Sequence, residues 1–88
     1  MNREELRLLL TQNRVDPQYY ELDGRPADLA YVLESKDGKW YVYYTEKGCK
    51  FDEHWFESEA VACEYIFGRL MRTMRALARR MRSQDKKG

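Results

Sequence analysis

The chain has 88 residues, 43% hydrophobic and 35% charged, with a net charge of +1. That is enough for one domain with one core, and too little for a core, a deep substrate pocket and a catalytic shell together. No run of 18 apolar residues is present, which argues against a membrane-spanning helix. The start MNREELRLLLTQNR is charged at once and has no signal-peptide pattern, so a cytoplasmic location is expected.

The small net charge hides a division. Residues 1–68 carry eight Lys/Arg against fourteen Asp/Glu, a net of −6. Residues 69–88 carry eight Lys/Arg against one Asp, a net of +7. An acidic body therefore carries a strongly basic end. The two cysteines, Cys49 and Cys63, have no metal-type spacing, and reduced thiols are expected in a cytosolic chain.

In chain order, Asn2 and Glu5 form a capping pattern, N-x-x-E, ahead of Leu6, Leu9 and Leu10 at helical spacing. A short helix over about 3–13 follows, broken at Asp16-Pro17 because proline disfavours a helical residue before it. Residues 19–22, YYEL, are a candidate short strand, and 22–29, LDGRPADL, are rich in turn residues.

Two clearer strands follow, Leu29–Ser35 and Trp40–Thr45. Asp37-Gly38 between them is a type I′ hairpin signal, since that turn needs positive φ at both central residues. A two-residue turn there sets the register: Ser35 faces Trp40, Leu33 faces Val42, and Tyr31 faces Tyr44. Alternation then splits the run WYVYY. Trp40, Val42 and Tyr44 join Leu29, Tyr31 and Leu33 on the expected core face, whereas Tyr41 and Tyr43 lie opposite with Val32 and Glu34. Lys47-Gly48 is a second turn, and 49–56 is a third, weakly patterned strand.

Ser58 caps a final helix that runs to about Met81 or Arg82. Its apolar positions Cys63, Phe67, Leu70, Met74, Leu77 and Met81 make a heptad-like seam. The fold class is α+β, a two-layer sandwich of a short N-terminal helix, a small antiparallel meander of three to four strands and a long C-terminal helix. One domain is expected over 1–88, with a folded body at about 3–72, a basic helical extension at 73–82 and a frayed tail at 83–88. A helix over 58–82 is about 37 Å long and a six-residue strand only about 20 Å, so the helix overruns the sheet. Met74, Leu77, Ala78 and Met81 then need cover from the first helix, a second copy or a partner.

The triplet Asp52-Glu53-His54 invites a metal or acid–base reading. Adjacent strand residues point to opposite faces, so the three converge only at a bulge, and a solvated acidic turn is the simpler reading. Cys49 and His54 have no orienting third group for nucleophilic catalysis. The five glycines are scattered and form no phosphate loop. A non-enzymatic protein with neither metal nor cofactor is expected.

Two surfaces remain. Two helices on one side of the sheet leave Tyr41 and Tyr43 open on the other, and tyrosines beside Glu34 suit a protein-binding patch. If the interface lies elsewhere, the acidic loop residues Glu21, Asp23, Asp28, Asp52 and Glu53 are the expected contacts. The basic helix residues Arg69, Arg72, Arg75, Arg79, Arg80 and Arg82, with Lys86 and Lys87 beyond, suit phosphate contacts or a homodimer through the helix. The acidic body opposes the nucleic-acid reading.

The order YELDG (20–24), LAYVLES (29–35), WYVYYTEKG (40–48) and FESEAVACEYIFGRL (56–70) resembles small bacterial immunity proteins of polymorphic and contact-dependent-inhibition toxin systems. W-x-VYY-x-E-x-G and F-x-SE-x-x-AC-x-Y carry the resemblance, which covers roughly residues 3–72. It implies a cytosolic, non-enzymatic inhibitor specific for one cognate toxin domain, often a nuclease. The arginine-rich end after Leu70 departs from the pattern, and the resemblance carries over no binding residue. An acidic inhibitor suits a nuclease with a basic cleft, because opposite charge speeds association.

Overall fold

The first turn of the chain is capped from both directions. Asn2 Oδ1 accepts from the Glu5 amide at 2.9 Å, and Glu5 Oε1 accepts from the Asn2 amide at 3.1 Å. In the computed structural model, which describes the backbone of residues 1–87 and the side chains of residues 1–81, this capping box opens helix α1, Arg3–Gln12. α1 stops in a Schellman arrangement rather than at the proline. The Arg14 amide donates to the Thr11 carbonyl and the Val15 amide to the Leu10 carbonyl, with Arg14 at φ +59. Val15 and Leu10 then share the core. Asp16 caps a single 3-10 turn, Pro17–Tyr19, by accepting from the Gln18 amide.

Four strands follow: β1 (Tyr20–Glu21), β2 (Ala30–Lys36), β3 (Lys39–Glu46) and β4 (Cys49–Phe56), in the sheet order β1-β2-β3-β4. β1 pairs parallel with β2, which makes the sheet mixed rather than a pure antiparallel meander. The β2–β3 register is the one set by the turn: Ser35 opposite Trp40, Leu33 opposite Val42, Tyr31 opposite Tyr44. Asp37 and Gly38 have φ of +52° and +76°, and Lys47 and Gly48 repeat the arrangement at +50° and +77°.

β4 carries one residue too many. His54 pairs with Val42 and Phe51 with Tyr44, so Asp52 and Glu53 together oppose Tyr43, and Asp52 takes φ +53. This bulge turns Asp52 toward the helix layer while Glu53 stays on the opposite face.

Helix α2, Glu59–Lys87, begins where Ser58 Oγ accepts from the Val61 amide at 3.2 Å. It extends past the expected end near residue 82. Gly88 and the side chains of 82–88, where the frayed tail is expected, lie outside the described residues. α1 and α2 share one face of the sheet. Leu6 and Leu10 of α1, Leu33 and Val42 of the sheet, and Ala62, Cys63, Ile66 and Leu70 of α2 form the main core.

The core differs from the sequence reading in two ways. The helix buries Ala62, Cys63, Ile66 and Leu70, while Phe67 and Met74 are only partly covered. A single straight helix on a sheet follows the 3.6-residue repeat, which brings Ile66 inward, whereas a heptad seam needs a supercoiled partner. On the sheet, Tyr31, Trp40 and Tyr44 are half-buried and Leu29 is 52% exposed. The helix crosses the middle of the sheet at Leu33 and Val42 and leaves these residues at its margins.

Candidate functional site

The outer face of the sheet holds the tyrosines, and it is not open. Tyr41 is 6% exposed and Tyr43 7%, and with Val32 they form a second buried cluster. Three things cover them. Trp55 lies against Tyr41 with ring centroids 4.2 Å apart and an interplanar angle of 8°. The Lys50 ammonium sits 5.1 Å and 4.6 Å from the Tyr41 and Tyr43 ring centres. Ala27, from the loop before β2, packs on the cluster. The expectation of an exposed tyrosine patch is therefore corrected: a strand and a loop supply the cover that a helix does not.

Both phenols donate to carboxylates, Tyr41 to Glu53 Oε1 and Tyr43 to Glu34 Oε2 at 3.1 Å. Burial, then the hydrogen bond from its phenol to Glu34, pushes Tyr43 up to about 12, and burial with the Glu53 contact raises Tyr41 further. The surface presented outward is Trp55, 51% exposed, beside Lys36, Asp37 and Lys39.

The acidic residues proposed as loop contacts are all engaged within the chain. Glu21 Oε2 accepts from the Asp23 and Arg25 amides at 2.7 and 3.2 Å. Asp23 pairs with Arg7 at 2.6 Å and Arg3 at 3.4 Å. Asp28 accepts from the Lys47 amide at 2.7 Å, which ties the loop before β2 to the β3–β4 turn. Asp52 accepts from His54 Nε2 at 2.9 Å, Tyr65 Oη at 3.2 Å and Arg69 Nη2 at 2.6 Å. The hydrogen bond from His54 and the Arg69 guanidinium hold Asp52 below the usual carboxylate range. Asp52 is thus a clamp between β4 and α2 rather than a solvated turn residue. Among the described residues no group of three or more His, Cys, Asp or Glu is placed to hold a metal ion.

Arg69 belongs to that clamp. Arg72, Arg75, Arg79 and Arg80 are exposed, and the side chain of Arg82 lies outside the described residues. The apolar residues interleaved with them behave unequally. Met71 and Met74 lean on the core, Leu77 is half-buried, and Ala78 and Met81 are exposed.

Leu77 belongs to a feature the sequence reading did not isolate. Tyr20, Tyr31, Tyr44 and Phe51 are paired in register across all four strands, so one aromatic row crosses the helix side of the sheet. Tyr31 and Tyr44 meet edge to face at 5.2 Å. Past Leu70 the helix leaves the sheet, and a half-open groove of about 440 Å³ lies between them, lined by Tyr19, Leu29, Tyr31, Tyr44, Leu70, Thr73 and Leu77. Phe51, 49% exposed, continues the row beyond Tyr44. Leu29 stands at its rim with φ +54, an unusual conformation for a residue with a Cβ. The sequence signal lies in the pairing of Tyr31 with Tyr44 and in the overrunning helix, but strand alternation places both tyrosines in the core.

Among the described residues no helix is long and apolar enough to cross a membrane. Comparisons with family models, curated proteins and solved structures give no match to this chain.

Proposed function

We propose that the chain is a non-enzymatic, cytoplasmic immunity-type protein that binds and neutralises one cognate bacterial toxin domain, a nuclease being the expected target. The observation that carries this reading is Trp55. A half-exposed tryptophan held flat on a buried tyrosine is a rigid anchor that loses little freedom on docking, as interface hot spots require. The acidic body, net −6 over residues 1–68, supports fast association with a basic nuclease cleft. The resemblance over residues 3–72 supports the toxin as partner. With Tyr41 and Tyr43 covered, Trp55 replaces them as the proposed contact, and Glu34 and Glu53 act behind it by fixing the phenols.

The test is co-expression with the polypeptide encoded by the neighbouring reading frame, followed by affinity capture and a survival assay. A stable complex and rescued growth support the reading. A toxic neighbour that neither binds nor is neutralised overturns it, as does a neighbour with no toxicity.

A further inference from the structure

We infer that the outward face of α2 is a contact surface for duplex DNA, with the helix in the major groove and its arginines on the phosphates. The inference goes beyond the immunity reading and does not depend on it.

The first observation is where the arginines point. At about 100° per residue, Arg72, Arg75 and Arg79 project from the side of α2 opposite Ile66, Leu70 and Leu77, which the helix turns to the core and the groove. Arg80 flanks them, so the four occupy an arc of about 140°. All four are exposed, and none forms an ion pair among the described residues. The elements packed on α2, namely α1 and strands β2, β3 and β4, lie on its buried side and leave this arc clear.

The second is a gap in the same arc. Gly68 stands one turn before Arg72, in mid-helix, where glycine is less favourable than alanine. A Cβ there would meet nothing within 4 Å, so no packing in the fold requires the glycine. A shallow cavity of about 250 Å³ lies at this point, lined by Glu64, Tyr65, Gly68, Arg69 and Arg72. Ala76, also exposed, is the other small residue in the arc. Small residues amid arginines let a helix approach the floor of a groove while the long side chains reach the phosphates.

Duplex DNA is the polyanion these features select. The arc is basic through arginine alone, the side chain that grips phosphate oxygens in pairs. A helix about 10–12 Å across fits a B-form major groove about 12 Å wide, whereas the A-form major groove of RNA is too narrow to be read. Single strands need open rings on which bases stack. Tyr65, which adjoins the arc, is instead bonded to Asp52 at 3.2 Å and packed by His54 and Phe56. A lipid surface needs apolar residues beside the cations, and Leu70, Met74 and Leu77 of this stretch lie on the other side of the helix. The acidic charge of the body is turned elsewhere. Glu34 and Glu53 bond to the phenols on the far side of the sheet, Asp52 is held by Arg69, and Glu59 by Arg3. Between Glu64 and Asp85 the sequence contains no carboxylate.

The experiment is fluorescence anisotropy of the full chain with a labelled random-sequence DNA duplex of about two helical turns. Binding is expected at about 50 mM salt and should weaken tenfold or more by about 200 mM. Arg72→Ala/Arg75→Ala/Arg79→Ala should bind about tenfold or more weakly, with a shallower salt dependence. Gly68→Leu should weaken binding and leave the salt dependence unchanged, because it blocks approach without removing charge. Circular dichroism and denaturation midpoints establish that the variants fold. Should the triple variant unfold, Arg75→Gln/Arg79→Gln takes over the comparison. No binding at the lower salt, undiminished binding by a folded arginine variant, or undiminished binding by Gly68→Leu overturns the proposal. So does equal affinity for single-stranded DNA or duplex RNA, or tighter binding to anionic phospholipid vesicles or to polyglutamate.

Discussion

Trp55 and Tyr41 lie face to face on neighbouring strands, centroids 4.2 Å apart, with the tyrosine buried and the tryptophan half in solvent. Under the proposed function, the pair divides stability from recognition. Tyr41 is held on its far side by Tyr43, at 4.7 Å, and by its hydrogen bond to Glu53. Trp55→Ala is expected to cost about 1 kcal/mol, the size of an aromatic pair, while abolishing partner protection. Urea denaturation and a survival assay on the same variant measure the two effects. A Trp55→Ala protein that protects fully would remove Trp55 from the interface.

Tyr41→Ala and Tyr43→Ala should each destabilise strongly, by about 3–5 kcal/mol, because each removes a buried ring and strands a carboxylate partner. A denaturation midpoint unchanged in either variant would show that the outer cluster contributes no packing energy.

On α2, Ile66→Ala should cost about 2–5 kcal/mol, and Phe67→Ala clearly less despite its larger ring. Ile66 is fully buried and Phe67 is only partly covered. The reverse order would mean that the helix presents its heptad seam to the sheet after all.

The two outer tyrosines set an alkaline limit. An unfolded tyrosine releases its proton near pH 10, whereas Tyr43 holds its proton to about 12 and Tyr41 beyond that. Between those values the native chain binds more protons than the unfolded one, so stability falls as pH rises. Below pH 10 this contribution is complete. Phenolate absorbance should show Tyr41 and Tyr43 releasing their protons only together with unfolding. Seven titrating together near pH 10 in a folded protein would contradict the buried cluster.

Asp52 sets a limit on the acid side. Its folded value is depressed, so its contribution is present above the ordinary Asp value near 3.9 and is lost as pH falls through the folded value. Asp52→Asn should lower stability at neutral pH and flatten this acid dependence. An unchanged acid limb in the variant would show that His54, Tyr65 and Arg69 gain nothing from the carboxylate.

What the sequence disclosed, and what it withheld, follows from how local each cause is. Asp37-Gly38 imposes its turn through two backbone angles, so the pairing of β2 with β3 could be read residue by residue. Asn2 and Glu5 announce α1 in the same way. The cover over Tyr41 has no such mark. It depends on a bulge at Asp52, where an aspartate takes a positive φ without a glycine to advertise it, and on a loop folding Ala27 back onto the sheet. Ile66 and Phe67 are adjacent and both fit an apolar stripe, so the sequence alone does not single out Ile66. Only contact with the sheet distinguishes them. Strand alternation places Leu29 in the core, but a residue at φ +54 does not obey that alternation.

The bulge in β4 also governs how the molecule ends. β4 is the last strand of the sheet, and among the described residues its outer side has no neighbouring strand. An unprotected edge of eight residues would invite another chain to add itself, and stacking of that kind leads toward fibrils. The extra residue at Asp52–Glu53 breaks the rhythm of amides and carbonyls midway along that edge, and Lys50, Asp52 and Glu53 add charge around it. An incoming strand finds only short, mismatched stretches on either side of the kink. The residue that clamps β4 to α2 therefore also interrupts this edge, and strand addition along β4 should be disfavoured.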